Sequence, residues 1–165
     1  MAEHCDATAQ HWIERLGLER HPEGGWYREV HRSSVGVRRE GDDQRRCGLT
    51  LIHYLLEAGA CSRWHRVRDA DEIWQYGGGA PLQLWRLPPT GGEAEALTLA
   101  AWQADQPQRA SVQVIPSGWW QAARSQGEWT LVSCCVGPGF DFADFELLRD
   151  QPGGATLPGA SPQWL

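Results

Sequence analysis

Gly59-Ala-Cys-Ser-Arg-Trp-His65-Arg-Val67-Arg-Asp-Ala-Asp-Glu72-Ile-Trp-Gln-Tyr-Gly-Gly-Gly79 reads as two short strands, 62 to 67 and 72 to 76, joined by a charged turn. Side chains alternate along a strand, so residues of equal parity share a face. Arg63, His65 and Val67 therefore go together on the first strand, and Glu72, Trp74 and Tyr76 on the second. Downstream, Pro116-Ser-Gly118 is a turn signal, after which Trp119 and Gln121 share a face. With His65 pointing inward, an imidazole, a carboxylate, an amide and several aromatic rings converge. Such a hollow suits a flat or ring-shaped ligand, held by stacking and oriented by the polar groups. The run Gly77-Gly78-Gly79 is read as a turn, because no Lys-Ser/Thr follows it and no helix is expected there to cradle a phosphate.

Working outward, the apolar run 49 to 56 is short and bounded by Gly48 and Gly59, which predicts a buried strand. Further strands are predicted over 26 to 31, 82 to 87, 96 to 103, 111 to 115, 120 to 124 and 129 to 136. Near the N-terminus, Asp6 is placed to cap a short helix that puts Trp12, Ile13 and Leu16 on one face and ends at Gly17. The charged run from Arg38 to Arg46 reads as a solvated loop. Regular short strands separated by turns indicate an all-β sandwich or barrel, and closing the sheet removes exposed edges. Residues 1–150 are expected to form this single domain. Residues 151–165, rich in Gly, Pro and Ala, are expected to be a flexible C-terminal tail.

The chain has 165 residues, enough for one core. Its hydrophobic fraction of 41% and charged fraction of 22% are ordinary, whereas ten Trp, nineteen Gly and ten Pro suit many short strands and turns. The net charge of −6, with every basic residue an Arg, argues against a nucleic-acid platform. No stretch is apolar enough to span a bilayer and the start lacks signal-peptide character, so no membrane role and a cytoplasmic location are expected. The five Cys include no Cys-x-x-Cys pair and are expected to stay reduced, with Cys134 and Cys135 on opposite faces of a strand.

The offsets among Gly59, His65, Glu72 and Gly79, followed by Pro116 and Gly118, resemble the two motifs of the cupin superfamily. Two ligand positions of the metal-binding pattern depart from it: Val67 stands where a second His belongs, and Gln121 where the His of the second motif belongs. Wider wording, in His21-Pro-Glu-Gly-Gly25, Ser33-Ser34, Pro116-Ser-Gly-Trp-Trp-Gln-Ala122 and Pro138-Gly-Phe-Asp-Phe-Ala-Asp-Phe-Glu-Leu147, is similar to a largely uncharacterised cupin family of unknown function. The resemblance implies a jelly-roll (double-stranded β-helix) barrel, a homodimer, and a pocket like that of nucleotide-sugar epimerases. It implies no established reaction.

Three functions compete. The first is an epimerase- or isomerase-like enzyme acting on a sugar-like or other ring-bearing metabolite, with His65 as general base, Glu72 orienting it or sharing the proton, and Gln121 on a substrate oxygen. Arg63, Trp74, Tyr76 and Trp119 would complete the pocket. The second is a non-catalytic ligand-binding or sensor module using the same groups. The third is a metal-dependent dioxygenase in which His65, Glu72 and Gln121 hold a divalent metal weakly as an incomplete set. Plainer roles stand beside these. Glu72 would pair on the surface with Arg66 or Arg68, and Trp64, Trp74, Trp119 and Trp120 would be packing. Asp141, Asp144 and Glu146 would be wet carboxylates between inward rings of Phe140, Phe142 and Phe145. His21 and Glu23 would either cover the mouth of the barrel or only set the start of a strand.

Overall fold

Helix α1 (Ala9–Leu16) starts at Thr8, whose side chain accepts the His11 N–H, and its chain reverses at Gly17. Thr8 therefore occupies the capping position expected of Asp6, which lies outside the described residues; the computed structural model describes residues 8–153 and 156–165. Strands follow as β1 (Glu19–Arg20), β2 (Trp26–Arg32), β3 (Gly36–Arg38), β4 (Arg45–Cys47), β5 (Thr50–Glu57), β6 (Cys61–Val67) and β7 (Asp71–Gly79). The remainder are β8 (Leu82–Leu87), β9 (Glu95–Leu99), β10 (Arg109–Ala110), β11 (Val112–Ile115), β12 (Trp120–Ser125), β13 (Trp129–Gly137) and β14 (Phe145–Leu147). Among the described residues no helix is long and apolar enough to cross a membrane.

The strands form two six-stranded sheets, ordered β1-β2-β5-β13-β7-β11 and β10-β9-β8-β12-β6-β14, with β3 and β4 as a separate hairpin. This is a jelly-roll arrangement of two facing sheets, rather than one sheet hydrogen-bonded into a closed barrel. Alternation explains the packing. On β5, Tyr54 and Leu56 enter the layer between the sheets, while Leu55 turns outward beneath Ile13 and Leu18. On β12, Ala123 faces inward, and Trp120 and Ala122 join Trp64, Leu87 and Leu148 on the outer side of the second sheet.

Several local expectations are corrected. The charged run 38 to 46 is the largely exposed loop of the β3–β4 hairpin with its flanking strand residues, but Arg39 and Arg46 fold back on Asp144, so Asp144 is buried and paired rather than wet. Glu146 takes both Arg66 and Arg68, the partners considered for Glu72. The three glycines end β7 instead of forming a turn. Gly79 has φ +87°, and a Cβ there would collide with Trp129 of the neighbouring strand, so the position requires glycine. Strand β9 stops at Leu99. The tail assigned to residues 151–165 folds back where it is described: Trp164 packs on Trp85 with centroids 5.3 Å apart, and Trp64 donates its indole N–H to Ser161. Leu157, Ala160 and Trp164 cover the outer cluster of the second sheet, burial that a Gly/Pro-rich composition conceals.

Candidate functional site

Between the sheets the interior divides into two halves. One is filled by Leu82, Leu84, Leu99, Ile115 and Ala123. The other opens into a cavity of about 390 Å3, a small-molecule volume. Alternation supplies its walls: Thr50, Ile52 and Tyr54 from β5, His65 and Val67 from β6, Glu72 from β7, and Cys134 and Val136 from β13. Phe140, Phe142 and Phe145 close one side, and Tyr27 of β2 contributes to the wall.

Strand β6 breaks the alternation that the sequence suggests. Gln121 opposes His65 but Ala123 opposes Ser62, so Arg63 and Trp64 together face Ala122 alone. This bulge turns both Ser62 and His65 inward and takes Arg63 off the cavity wall. The loop after β1 lies directly on β6: Arg63 N–H donates to the Glu23 carbonyl at 2.9 Å, and the Tyr54 hydroxyl donates to the Gly24 carbonyl at 2.8 Å. Gly24, at φ +115°, permits this, since a Cβ would collide with the Cys61 carbonyl oxygen. The result is to push the Glu23 side chain into the cavity.

Glu23 Oε2 then lies 3.2 Å from His65 Nε2 and 3.3 Å from His21 Nδ1. The protonation pattern follows from the other contacts. His65 Nδ1 is 2.8 Å from the Arg63 carbonyl, which only accepts, so Nδ1 carries the hydrogen and Nε2 presents its lone pair. His21 Nδ1 accepts from the Glu23 backbone N–H at 3.3 Å, which engages its lone pair. At the carboxyl oxygen the lone pair of His65 Nε2 faces Glu23, and a single proton held on Glu23 or passed to that imidazole closes the contact. Burial drives the groups the same way, pulling His65 and His21 below the ordinary imidazole range and pushing Glu23 above the ordinary carboxylate range. Nearby charges and a hydrogen bond from Ser62 to Glu23, 2.9 Å long, only partly oppose this.

Glu72 is held from behind. Trp74 is buried, and an indole N–H left unpaired there would cost about 1–3 kcal/mol. It donates to Gln121 Oε1 at 2.8 Å, which fixes the amide so that Nε2 donates to Glu72 Oε2 at 2.6 Å. Burial raises the Glu72 carboxyl to about 7; the charge of His65 and hydrogen bonds from Gln121 and Cys134 restrain the rise, and the charge of Glu23 adds to it.

Of the residues singled out from sequence, His65 and Glu72 lie on the cavity wall. Trp74 and Gln121 lie behind it as the support of Glu72. Arg63 is displaced by the bulge, its guanidinium reaching toward the Glu23 carbonyl at 3.4 Å. Tyr76 bonds the Gly79 carbonyl, and Trp119 packs beside the filled half of the interior beneath Arg86; neither lines the cavity. His21, Glu23, Tyr27, Tyr54 and the three Phe, none assigned to the pocket by the spacing of the motifs, do line it. The glycine pair after Glu23 was the visible signal for that residue. Nothing in the sequence marks Tyr54, which lies on β5 outside both motifs.

The donor set that the cupin resemblance offers does not fit a metal. Gln121 has its carbonyl on Trp74 and its amide on Glu72, and His65 directs Nε2 at Glu23. Among the described residues no three His, Cys, Asp or Glu are arranged as ligands.

The fold and its sequence have close counterparts. A protein of Shewanella oneidensis superposes with a TM-score of 0.81 at 30% identity, covering 96% of each chain. A hypothetical protein from Leishmania major gives 0.76 at 33% identity, covering 84% of this chain and 86% of that one. At 12% identity, an uncharacterised Klebsiella pneumoniae protein with a double-stranded β-helix domain gives 0.54, covering 81% and 91%, a likeness of fold alone. No curated protein matches in sequence. The family profile described as Cupin superfamily (DUF985) matches residues 10–148, and with most of its length inside that match the chain belongs to this cupin family.

Proposed function

We propose that the cavity exchanges protons with a small, ring-bearing, sugar-like metabolite, as an epimerase or isomerase does. The observation that carries this reading is the placing of His65, Glu23 and Glu72, all buried, on the wall of one cavity, with His65 Nε2 3.2 Å from Glu23. A base works best when its pKa lies near the working pH, and Glu72 at about 7 meets that condition. The His65–Glu23 pair holds a second exchangeable proton. One unit removes a proton from a carbon beside a carbonyl, the other returns one, and no electrons leave the substrate. Gln121 acts through Glu72 as a positioning residue. A homodimer in the cytoplasm is part of the same proposal; the exposed Val112 and Val114 on edge strand β11 support association.

The test is solvent-deuterium exchange. Keto sugars and related ring compounds that shift the melting temperature are incubated with the protein in heavy water, and carbon-bound protons are followed by NMR. Exchange that disappears in His65→Ala and in Glu72→Gln is the expected result. Ligands that bind without exchanging any carbon-bound proton would establish the plain binding module instead.

A further inference from the structure

The cavity is unbalanced in charge beyond what proton exchange requires. Five acidic side chains line it: Glu19, Glu29 and Asp141 at exposed positions, and Glu23 and Glu72 inside, where burial favours the protonated form. Among the described residues one guanidinium lines it, that of Arg32, and it is already engaged. Its Nε and Nη2 meet the two oxygens of Glu29 at 2.9 and 2.7 Å, and its Nη1 donates to the Phe140 carbonyl at 3.1 Å. The two histidines of the wall are pulled toward the neutral form by burial.

Aromatic rings stand beside these acids. Phe140, Phe142 and Phe145 have centroids 5.0 to 6.0 Å apart and planes tilted by 64° to 82°, the edge-to-face packing of one contiguous aromatic cluster. Phe142 is 54% exposed, a large apolar ring at the edge of a cavity. Tyr27 and Tyr54 add two more rings. Ring faces attract cations through the negative face of the ring quadrupole.

We propose that the ligand is a small organic ammonium compound, its cationic group received by the Phe140–Phe142–Phe145 rings and the surrounding carboxylates. A phosphate or diphosphate would need unpaired donors of positive charge, and the described residues of the cavity wall offer none. The pocket thus departs from the one that a likeness to nucleotide-sugar epimerases implies. This inference rests on the cavity being the ligand site, as in the proposed function, but not on any proton transfer there.

Calorimetric titration of the full chain with matched probes tests it: choline against its uncharged isostere dimethylbutanol, and glucosamine against glucose and glucose phosphate. Binding of at least one cationic probe about tenfold tighter than its uncharged counterpart is the expected result. Glu29→Gln, at an exposed position, removes one carboxylate and leaves Arg32 without its partner; it should weaken the cation several-fold and admit glucose phosphate. No response to either cation at millimolar concentration, or equal or tighter binding of the neutral or anionic probes, overturns the inference. Cation binding without deuterium exchange would sink the proton-transfer reading and leave this one standing; exchange on a neutral or anionic compound would do the reverse.

Discussion

Asp144 and Glu72 are both buried acids, 4% and 7% exposed, yet the protein treats them in opposite ways. Asp144 accepts from Arg46 through both oxygens at 2.7 and 3.0 Å, and Arg39 comes within 3.0 Å. Burial alone would raise its pKa, but the two guanidinium groups outweigh that and hold it below the usual carboxylate range. Glu72 meets an amide, a thiol and an imidazole itself discouraged from charging, so burial wins and its carboxyl rises to about 7. Glu23 is displaced in the same direction. A carboxylate compensated by arginine serves as a clamp, here fastening the β3–β4 hairpin to the Phe140–Phe145 segment. One left without a fixed cation keeps a transferable proton, which is the character of a reactive site.

The contrast can be broken from either side. Asp144→Ala leaves Arg46 without its acid, while Arg39 keeps Asp42 and Asp69, and unfolding in urea should show a loss of about 3 kcal/mol. A loss below about 1 kcal/mol would mean that the clamp is only a surface pairing. Glu72→Gln should act oppositely. Folded Glu72 keeps its proton up to about 7, against 4.5 as its reference, so the folded chain binds more protons between these values. Stability therefore falls as pH rises through that window. The substitution removes the share of Glu72 in that fall and leaves the share of Glu23, and the difference in unfolding free energy between about pH 5 and pH 8 should shrink by about 2.5 kcal/mol.

Smaller effects sharpen the picture. Gln121→Leu removes the donor of Glu72 and orphans the Trp74 indole, a cost of about 2 kcal/mol in denaturant unfolding. It should also move the titration of Glu72 upward, which a loss of packing alone would not do. Trp164→Ala removes the ring on Trp85 and should cost about 1 kcal/mol, read as a small drop in melting temperature.

What the sequence carried was local. Strand alternation and the short turn between β6 and β7 suffice to place His65 and Glu72, because each depends on few neighbours. The bulge at Arg63 and Trp64 was not legible, since it arises from pairing with Ala122, more than fifty residues away. Asp144 looked wet because its two arginines lie in a distant hairpin that reads as a charged loop. Glu23 carried two readings, and only the seating of Gly24 on the Cys61 carbonyl decides between them. The tail misled through composition: Leu157 and Trp164 are few, but they are the residues that pack.

The most direct measurement is an NMR titration that follows the side-chain carboxyl carbons of Glu23, Glu72 and Asp144 in one sample. Glu72 should titrate near 7, Glu23 above the ordinary glutamate range, and Asp144 below the ordinary aspartate range. Three midpoints at ordinary carboxylate values would contradict the contrast between the paired and the unpaired acid, and with it the reactive character assigned to the cavity.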